Sequence, residues 1–159
     1  MNLRVGQGFD VHKFSTNPQR TLFLGCVEWP GETALEGHSD ADEVAHALAD
    51  ALLSAASLGD LGSNFGTDRP EFQNASGRTF LQEVHRLLSG AGWQIANATV
   101  QVVGERPKIS GRRHECEAAL SEALHGAEIS LTATTTDKLG FLGRGKGLAA
   151  FATALIYRQ

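Results

Sequence analysis

Mixed apolar and polar positions over Leu3–Phe14 predict a first β-strand. Thr21–Trp29 reads as short strands, and Pro30-Gly31 as the turn that follows. The strongest helix is predicted over Asp42–Ser57, a run rich in alanine and leucine. Ser39 and Asp40 are placed to cap it, with Asp42 and Glu43 near its positive end. Gly59–Pro70 reads as a loop. A second helix is expected over Arg78–Ser89, stopped by Gly90-Ala91-Gly92. Trp93–Val103 carries Ile95, Thr99, Val100, Val102 and Val103, β-branched residues suited to a strand. Arg112–Leu124 predicts a third helix, Ile129–Thr136 a strand, Lys138–Gly147 a glycine-rich loop and Leu148–Tyr157 a last strand. Strands separated by helices imply an α/β sandwich, a roughly four-stranded mixed sheet with helices on one face. The other face then needs a cover, and another subunit is the simplest one.

The chain has 159 residues, enough for one domain with one core, so residues 1–159 are expected to form a single catalytic domain. Hydrophobic residues make up 42% and charged residues 20%, values that exclude disorder as the main state. The formal net charge of -4 argues against a nucleic-acid surface but not against a small anionic ligand. Cys26 and Cys116 match no zinc spacing and read as reduced thiols. The N-terminus, Met1–Gly6, has no apolar run of signal-peptide length, no stretch is long and apolar enough to span a membrane, and a cytoplasmic protein is expected.

Asp10 and His12 stand two apart on the first strand, so their side chains share a face. A catalytic zinc site uses three protein ligands and keeps a position open. His46 on the strong helix is the best third ligand, with Asp42 and Asp50 one turn to either side as partners for its ring. The alternative is a polar residue on an exposed stripe. His85, His114 and His125 lack such company and read as surface residues. His38 and Ser39, just before the helix, could offer donors to a phosphate, or Ser39 or Asp40 could simply cap it.

Ala133-Thr134-Thr135-Thr136-Asp137-Lys138 leaves a strand for a loop. Its hydroxyls either suit the strand or line a phosphate, and Asp137 could hold a magnesium-like cation. Gly140–Gly147 is not a Walker loop, although Arg144 and Lys146 could attract an anion. Gly104-Glu105-Arg106-Pro107-Lys108-Ile109 reads as a strand-to-helix connection or as a rigid loop offering backbone groups to a base.

Together these segments resemble the 2-C-methyl-D-erythritol 2,4-cyclodiphosphate synthase family along nearly the whole chain. The matching pieces are Gly6-Gln7-Gly8-Phe9-Asp10-Val11-His12, Gly37-His38-Ser39-Asp40-Ala41-Asp42, His46–Leu52, Leu58-Gly59-Asp60-Leu61-Gly62, Arg106-Pro107-Lys108-Ile109, Ala133–Phe141 and Gly143-Arg144-Gly145. Their order and spacing are far more specific than any one of them. Three departures stand out: Phe65-Gly66-Thr67-Asp68-Arg69-Pro70 in place of the usual Phe-Pro-Asp-Thr-Asp-Pro, Asp137 where glutamate is also common, and Gln7 where some members have histidine.

The resemblance implies a lyase of non-mevalonate isoprenoid synthesis. It converts 4-diphosphocytidyl-2-C-methyl-D-erythritol 2-phosphate to the cyclic 2,4-diphosphate and CMP. It implies a homotrimer with active sites between subunits. Zinc, or another divalent metal, is implied on Asp10, His12 and His46, with Mg2+ or Mn2+ at Asp137. His38 and Thr135 are implied to position the reacting phosphates, flanked by Ser39 and Thr136. Asp60, Leu61 and Gly62 are implied to hold the methylerythritol part, Phe65 to bind substrate, and Gly104, Glu105, Arg106, Pro107, Lys108, Ile109 and Thr134 to hold the cytosine and nucleotide. Phe9, Phe141 and Arg144 fall near a central cavity of the trimer, which in the family can take an isoprenoid diphosphate. The rival readings are a zinc hydrolase of nucleotide diphosphates and a trimeric binding module without catalysis.

Overall fold

Two glycines in the first strand, Gly6 and Gly8, decide how closely the main helix approaches the sheet. The computed structural model describes every residue from Met1 to Gln159. Strand β1 (Asn2–Lys13) turns Gly6, Gly8, Asp10 and His12 toward helix α1 (Glu43–Ala56), and Leu3, Val5, Phe9 and Val11 to the opposite face. A Cβ on Gly8 would overlap the Ala47 carbonyl oxygen and come within 2.7 Å of the Ala51 nitrogen. One on Gly6 would overlap Ala51 and Ala55. Ala47, Ala51 and Ala55 recur every four residues, so Gly6 and Gly8 meet a row of alanines on the helix.

The chain continues through the hairpin strands β2 (Leu22–Leu24) and β3 (Val27–Trp29), then α1, α2 (Leu61–Phe65) and α3 (Gly77–Gly90). Strand β4 (Gln94–Val103), helix α4 (Arg113–Ala123), strand β5 (Ile129–Thr134), the short α5 (Gly140–Gly143) and strand β6 (Gly147–Arg158) complete it. The main sheet is four-stranded in the order β1-β6-β4-β5. β6 runs antiparallel to β1 and β4, while β5 is parallel to β4, so the expected mixed sheet is present. Helix α1 lies on β1, β6 and β4; α3 packs on α1, and α4 on β5. The core between sheet and helices is one cluster of 36 buried residues.

The opposite sheet face has no helix. Leu3, Val5, Phe9, Val11 and Phe151 are each 42–65% exposed there, and the Phe9 and Phe151 rings meet at 4.8 Å.

Several local expectations need correction. Asp42, not Ser39 or Asp40, caps α1: its carboxylate accepts from the Ala45 nitrogen and also from the Gly25 and Cys26 nitrogens. The cap is fully buried and joins the helix to the β2–β3 hairpin. Gly59–Pro70 contains α2, because Asp60 and Ser63 form a reciprocal capping box. The β5 strand ends at Thr134, where Thr135 and Thr136 turn away, and Lys138–Gly147 contains the one-turn α5. His85 and His125 are not solitary, since their rings stack at 4.2 Å; exposed His114 pairs with Glu117 at 3.0 Å.

Candidate functional site

Strand alternation and helix packing bring Asp10, His12 and His46 together. Their ligand atoms all lie within 4.8 Å of one another. The Asp10 Oδ2 atom is 2.9 Å from His12 Nε2 and 3.3 Å from His46 Nδ1. His12 Nδ1 lies 2.6 Å from the Glu36 carbonyl oxygen. A carbonyl only accepts, so Nδ1 carries the proton, and Nε2 of the neutral ring presents its lone pair toward Asp10. That lone pair facing a carboxylate is attractive only with a proton or a metal cation between them. His46 Nε2 is buried without a hydrogen-bond partner. Two imidazoles and one carboxylate, one ring oriented by a backbone carbonyl, fit a divalent transition metal.

Burial pushes the Asp10 carboxyl up, but hydrogen bonds and charge from His12 and His46 outweigh it and hold the group well below the usual carboxylate range. Burial lowers His12, yet the hydrogen bond and charge of Asp10 win and raise it. Glu43 lies beneath the triad, where its Oε1 accepts from the His12 backbone nitrogen at 3.1 Å. Burial, aided by the charge of Asp10, pushes its carboxyl up to about 9.

A cavity of about 350 Å³ adjoins His46. His38, Ser39, Leu61, Gly62, Phe65, Arg69 and Phe80 are among its walls. Its apolar side is an aromatic group: Phe65 meets Phe72 at 4.8 Å and Phe80 at 5.1 Å, and Phe80 meets the His46 ring edge-on at 5.6 Å.

The other expected residues lie along the same end of the sheet but not against this cavity. Gly104–Ile109 follows β4, and Thr135–Asp137 follows β5, beside each other through the Gly104 nitrogen and the Thr134 oxygen at 3.0 Å. The β5 edge is three strand spacings from β1, about 14 Å. Within one chain, the metal ligands and the threonine loop thus occupy opposite edges of the sheet. Phe141 and Arg144 are exposed in and just after α5.

The model of the YgbB family matches residues 3–157. The chain belongs to the YgbB family. It is 58% identical over 154 residues to the 2-C-methyl-D-erythritol 2,4-cyclodiphosphate synthase of Acidothermus cellulolyticus, covering 97% of this chain and 94% of that protein. Its fold matches the bifunctional IspDF of Campylobacter jejuni with a TM-score of 0.92 and 32% identity, over 99% of this chain and 43% of that longer one. The CDP complex of Plasmodium falciparum IspF matches with a TM-score of 0.85 and 30% identity, over 99% of this chain and 97% of that one. No helix is long and apolar enough to cross a membrane.

In this YgbB-family chain the supports of the site differ from those expected. Asp42 is occupied with its cap, and the Asp50 carboxylate accepts from the Leu61 nitrogen at 2.8 Å, so neither bonds the His46 ring. Asp50 instead ties α2, with Leu61 and Gly62, to the helix that carries His46. The Ser39 hydroxyl donates to the Ala75 oxygen, and Asp60 caps α2. Arg20 escaped the sequence reading. It donates to the Leu35, Gly37 and Ser39 oxygens and so shapes the loop bearing His38 and the Glu36 carbonyl. Glu43 escaped too; the only available signal was an acid three residues before His46 on the same helix. Phe72 and Phe80 lie in segments whose apolar residues look like ordinary core.

Proposed function

We propose that the protein is a 2-C-methyl-D-erythritol 2,4-cyclodiphosphate synthase, a cyclising, CMP-releasing lyase of the non-mevalonate isoprenoid route. The observation that carries this reading is the convergence of Asp10, His12 and His46 beside a cavity lined by His38, Ser39, Leu61 and Gly62, in a chain of this family. In the reaction an oxygen of the 2-phosphate bonds to the β-phosphorus of the CDP group. The bond to the bridging oxygen breaks, and CMP leaves. The nucleophile is already anionic, so no strong general base is needed; the protein bends the substrate and offsets its charge. A divalent ion on the triad, with zinc the proposed occupant, supplies Lewis-acid charge at the diphosphate.

The remaining roles belong to other side chains and backbone groups of this chain. His38 and Thr135 position the reacting phosphates, with Ser39 and Thr136 beside them. Asp60, Leu61, Gly62 and Phe65 bound the methylerythritol part, for which the partly apolar cavity is suited. Gly104–Ile109 and Thr134 hold cytosine and ribose, and Asp137 a Mg2+ or Mn2+ ion. Phe9, Phe141 and Arg144 face a central channel able to take an isoprenoid diphosphate. A cytoplasmic location suits this chemistry. Incubation of the purified protein with the substrate, zinc and magnesium tests the proposal. Equal amounts of CMP and cyclic diphosphate are expected; CMP without the cyclic product would overturn it.

A homotrimer completes the site. The uncovered sheet face gathers exposed Leu3, Val5, Phe9, Val11 and Phe151, with polar Gln7, Thr99, Gln101 and Thr153 among them, and this clustering of apolar side chains supports an interface there. The opposite placement of triad and threonine loop supports active sites built from two subunits. Light scattering at micromolar concentration is expected to give three times the chain mass, and a monomer would contradict the arrangement.

Base selectivity is the second expectation placed on the site. Backbone groups that pair with cytosine are left unpaired and buried by uracil. The uridine analogue should therefore lose at least about 100-fold in kcat/KM. Equal turnover of the two would remove the loop after β4 from base recognition.

A further inference from the structure

Glu105 and Lys138 join the two loops that leave the sheet after β4 and β5. The Lys138 Nζ atom donates to Glu105 Oε2 at 2.9 Å across 33 residues of sequence. The other carboxylate oxygen, Oε1, is buried without a hydrogen-bond partner. The Glu105 side chain is 19% exposed, so Lys138 is the one cation compensating a carboxylate largely removed from water. The Lys138 side chain is 79% exposed, so the pair departs from an ordinary exposed ion pair, whose loss has little effect, on the Glu105 side alone.

The turn that carries Lys138 is strained. Asp137 and Lys138 have φ of 54° and 65°, two successive left-handed residues, neither of them glycine. Local bonds close the turn on itself: the Leu139 nitrogen donates to the Thr136 oxygen at 3.1 Å, Thr136 Oγ1 donates to the Leu139 oxygen at 2.6 Å, and the Asp137 nitrogen donates to Thr135 Oγ1 at 3.3 Å. The Glu105 contact ties it to the neighbouring strand's loop. That loop is fixed on its far side by the Arg106 guanidinium, 4.3 Å over the Phe14 ring.

We infer that Lys138 and Glu105 are a positioning pair, which sets the separation between the loop that holds the base and the turn that holds the diphosphate. The inference rests on the synthase reading for what those loops hold. It changes the part expected of Glu105, whose carboxylate grips the opposite loop and not the nucleotide. Lys138 acts through Thr135, Thr136 and Asp137 without touching the phosphates itself.

The test is a double-mutant cycle on the full-length, metal-loaded enzyme, with CDP as the binding probe in calorimetry and KM and kcat measured alongside. Lys138→Met and Glu105→Gln should each weaken CDP and raise KM by roughly fivefold or more, with kcat changed less. The double variant should be no worse than the weaker single one, and Lys138→Arg should recover most of the affinity. Thermal unfolding serves as the control, because a merely structural pair would shift the melting temperature and leave KM alone. Additive losses would mean that Lys138 meets the phosphates directly, and unchanged CDP binding in Lys138→Met would mean that the pair positions nothing; either result overturns the inference. Failure of the unaltered enzyme to bind CDP would instead count against the nucleotide reading, a distinct outcome that removes this inference with it.

Discussion

Replacing His46 with alanine is expected to strip the metal and abolish turnover. The change removes one of three protein ligands and leaves Asp10 and His12 as a two-point site. It also removes one of the two imidazoles that hold the Asp10 carboxyl ionised against its burial. Loss of an outer-shell partner alone costs about 10–100-fold in metal affinity, so loss of a ligand should exceed about 100-fold. Metal analysis after dialysis and a turnover assay with added zinc measure the effect. The fold should survive, since His46 faces the cavity beside Phe80 and adds little to the apolar core. Full zinc occupancy in His46→Ala would sink the assignment of this triad.

Gly8→Ala is expected to damage both stability and site. The added methyl would collide with the backbone of α1 at Ala47, and backbone cannot swing aside as a side chain can. Relief requires the helix to move away from β1. Overpacking of this kind costs about 3 kcal/mol when the neighbours cannot repack. The same motion draws His46, one residue before Ala47, away from Asp10 two residues beyond Gly8. Urea unfolding should show a lower midpoint, and bound-metal content should fall with it. An unchanged midpoint with full metal content would show that α1 has room to shift without disturbing the triad.

The sequence made the long elements legible through composition and punctuation: α1 is a run of strong helix formers, β4 is rich in β-branched residues, and glycines stop α3 and precede β6. β1, α1, α3, β4 and β6 lie within a few residues of the expected spans. The triad was legible for a related reason: Asp10 and His12 share a strand face by simple alternation, and His46 stands on the most obvious helix. What could not be read depended on contacts distant in sequence. Asp42 looked like one more acid near a helix start, yet it caps the helix because Gly25 and Cys26 bring it two further donors. Asp50 looked like a partner for His46 by helical spacing, but the Leu61 nitrogen claims its carboxylate. Gly6 and Gly8 appeared only as letters of a motif, and their purpose became clear once α1 lay across them. The Phe65–Phe72–Phe80 cluster joins three separate segments, so no local pattern marks it as a cavity wall.

The central claim is that the 2-phosphate of the substrate, and not water, attacks the β-phosphorus. The triad offers a metal centre that in other settings activates water, so geometry at the metal alone does not separate the two reactions. The internal route has the advantage of proximity, worth several kcal/mol and roughly 7 or more when the reacting groups are well oriented. It also demands that the folded substrate exclude water, which a cleft closed by a second subunit would achieve. Turnover in oxygen-18 water, with zinc and magnesium present, distinguishes them by mass. Cyclisation predicts one cyclic diphosphate per CMP, with no heavy oxygen in either product. Heavy oxygen in a released phosphate, with no cyclic diphosphate formed, would contradict the account and make the protein a hydrolase.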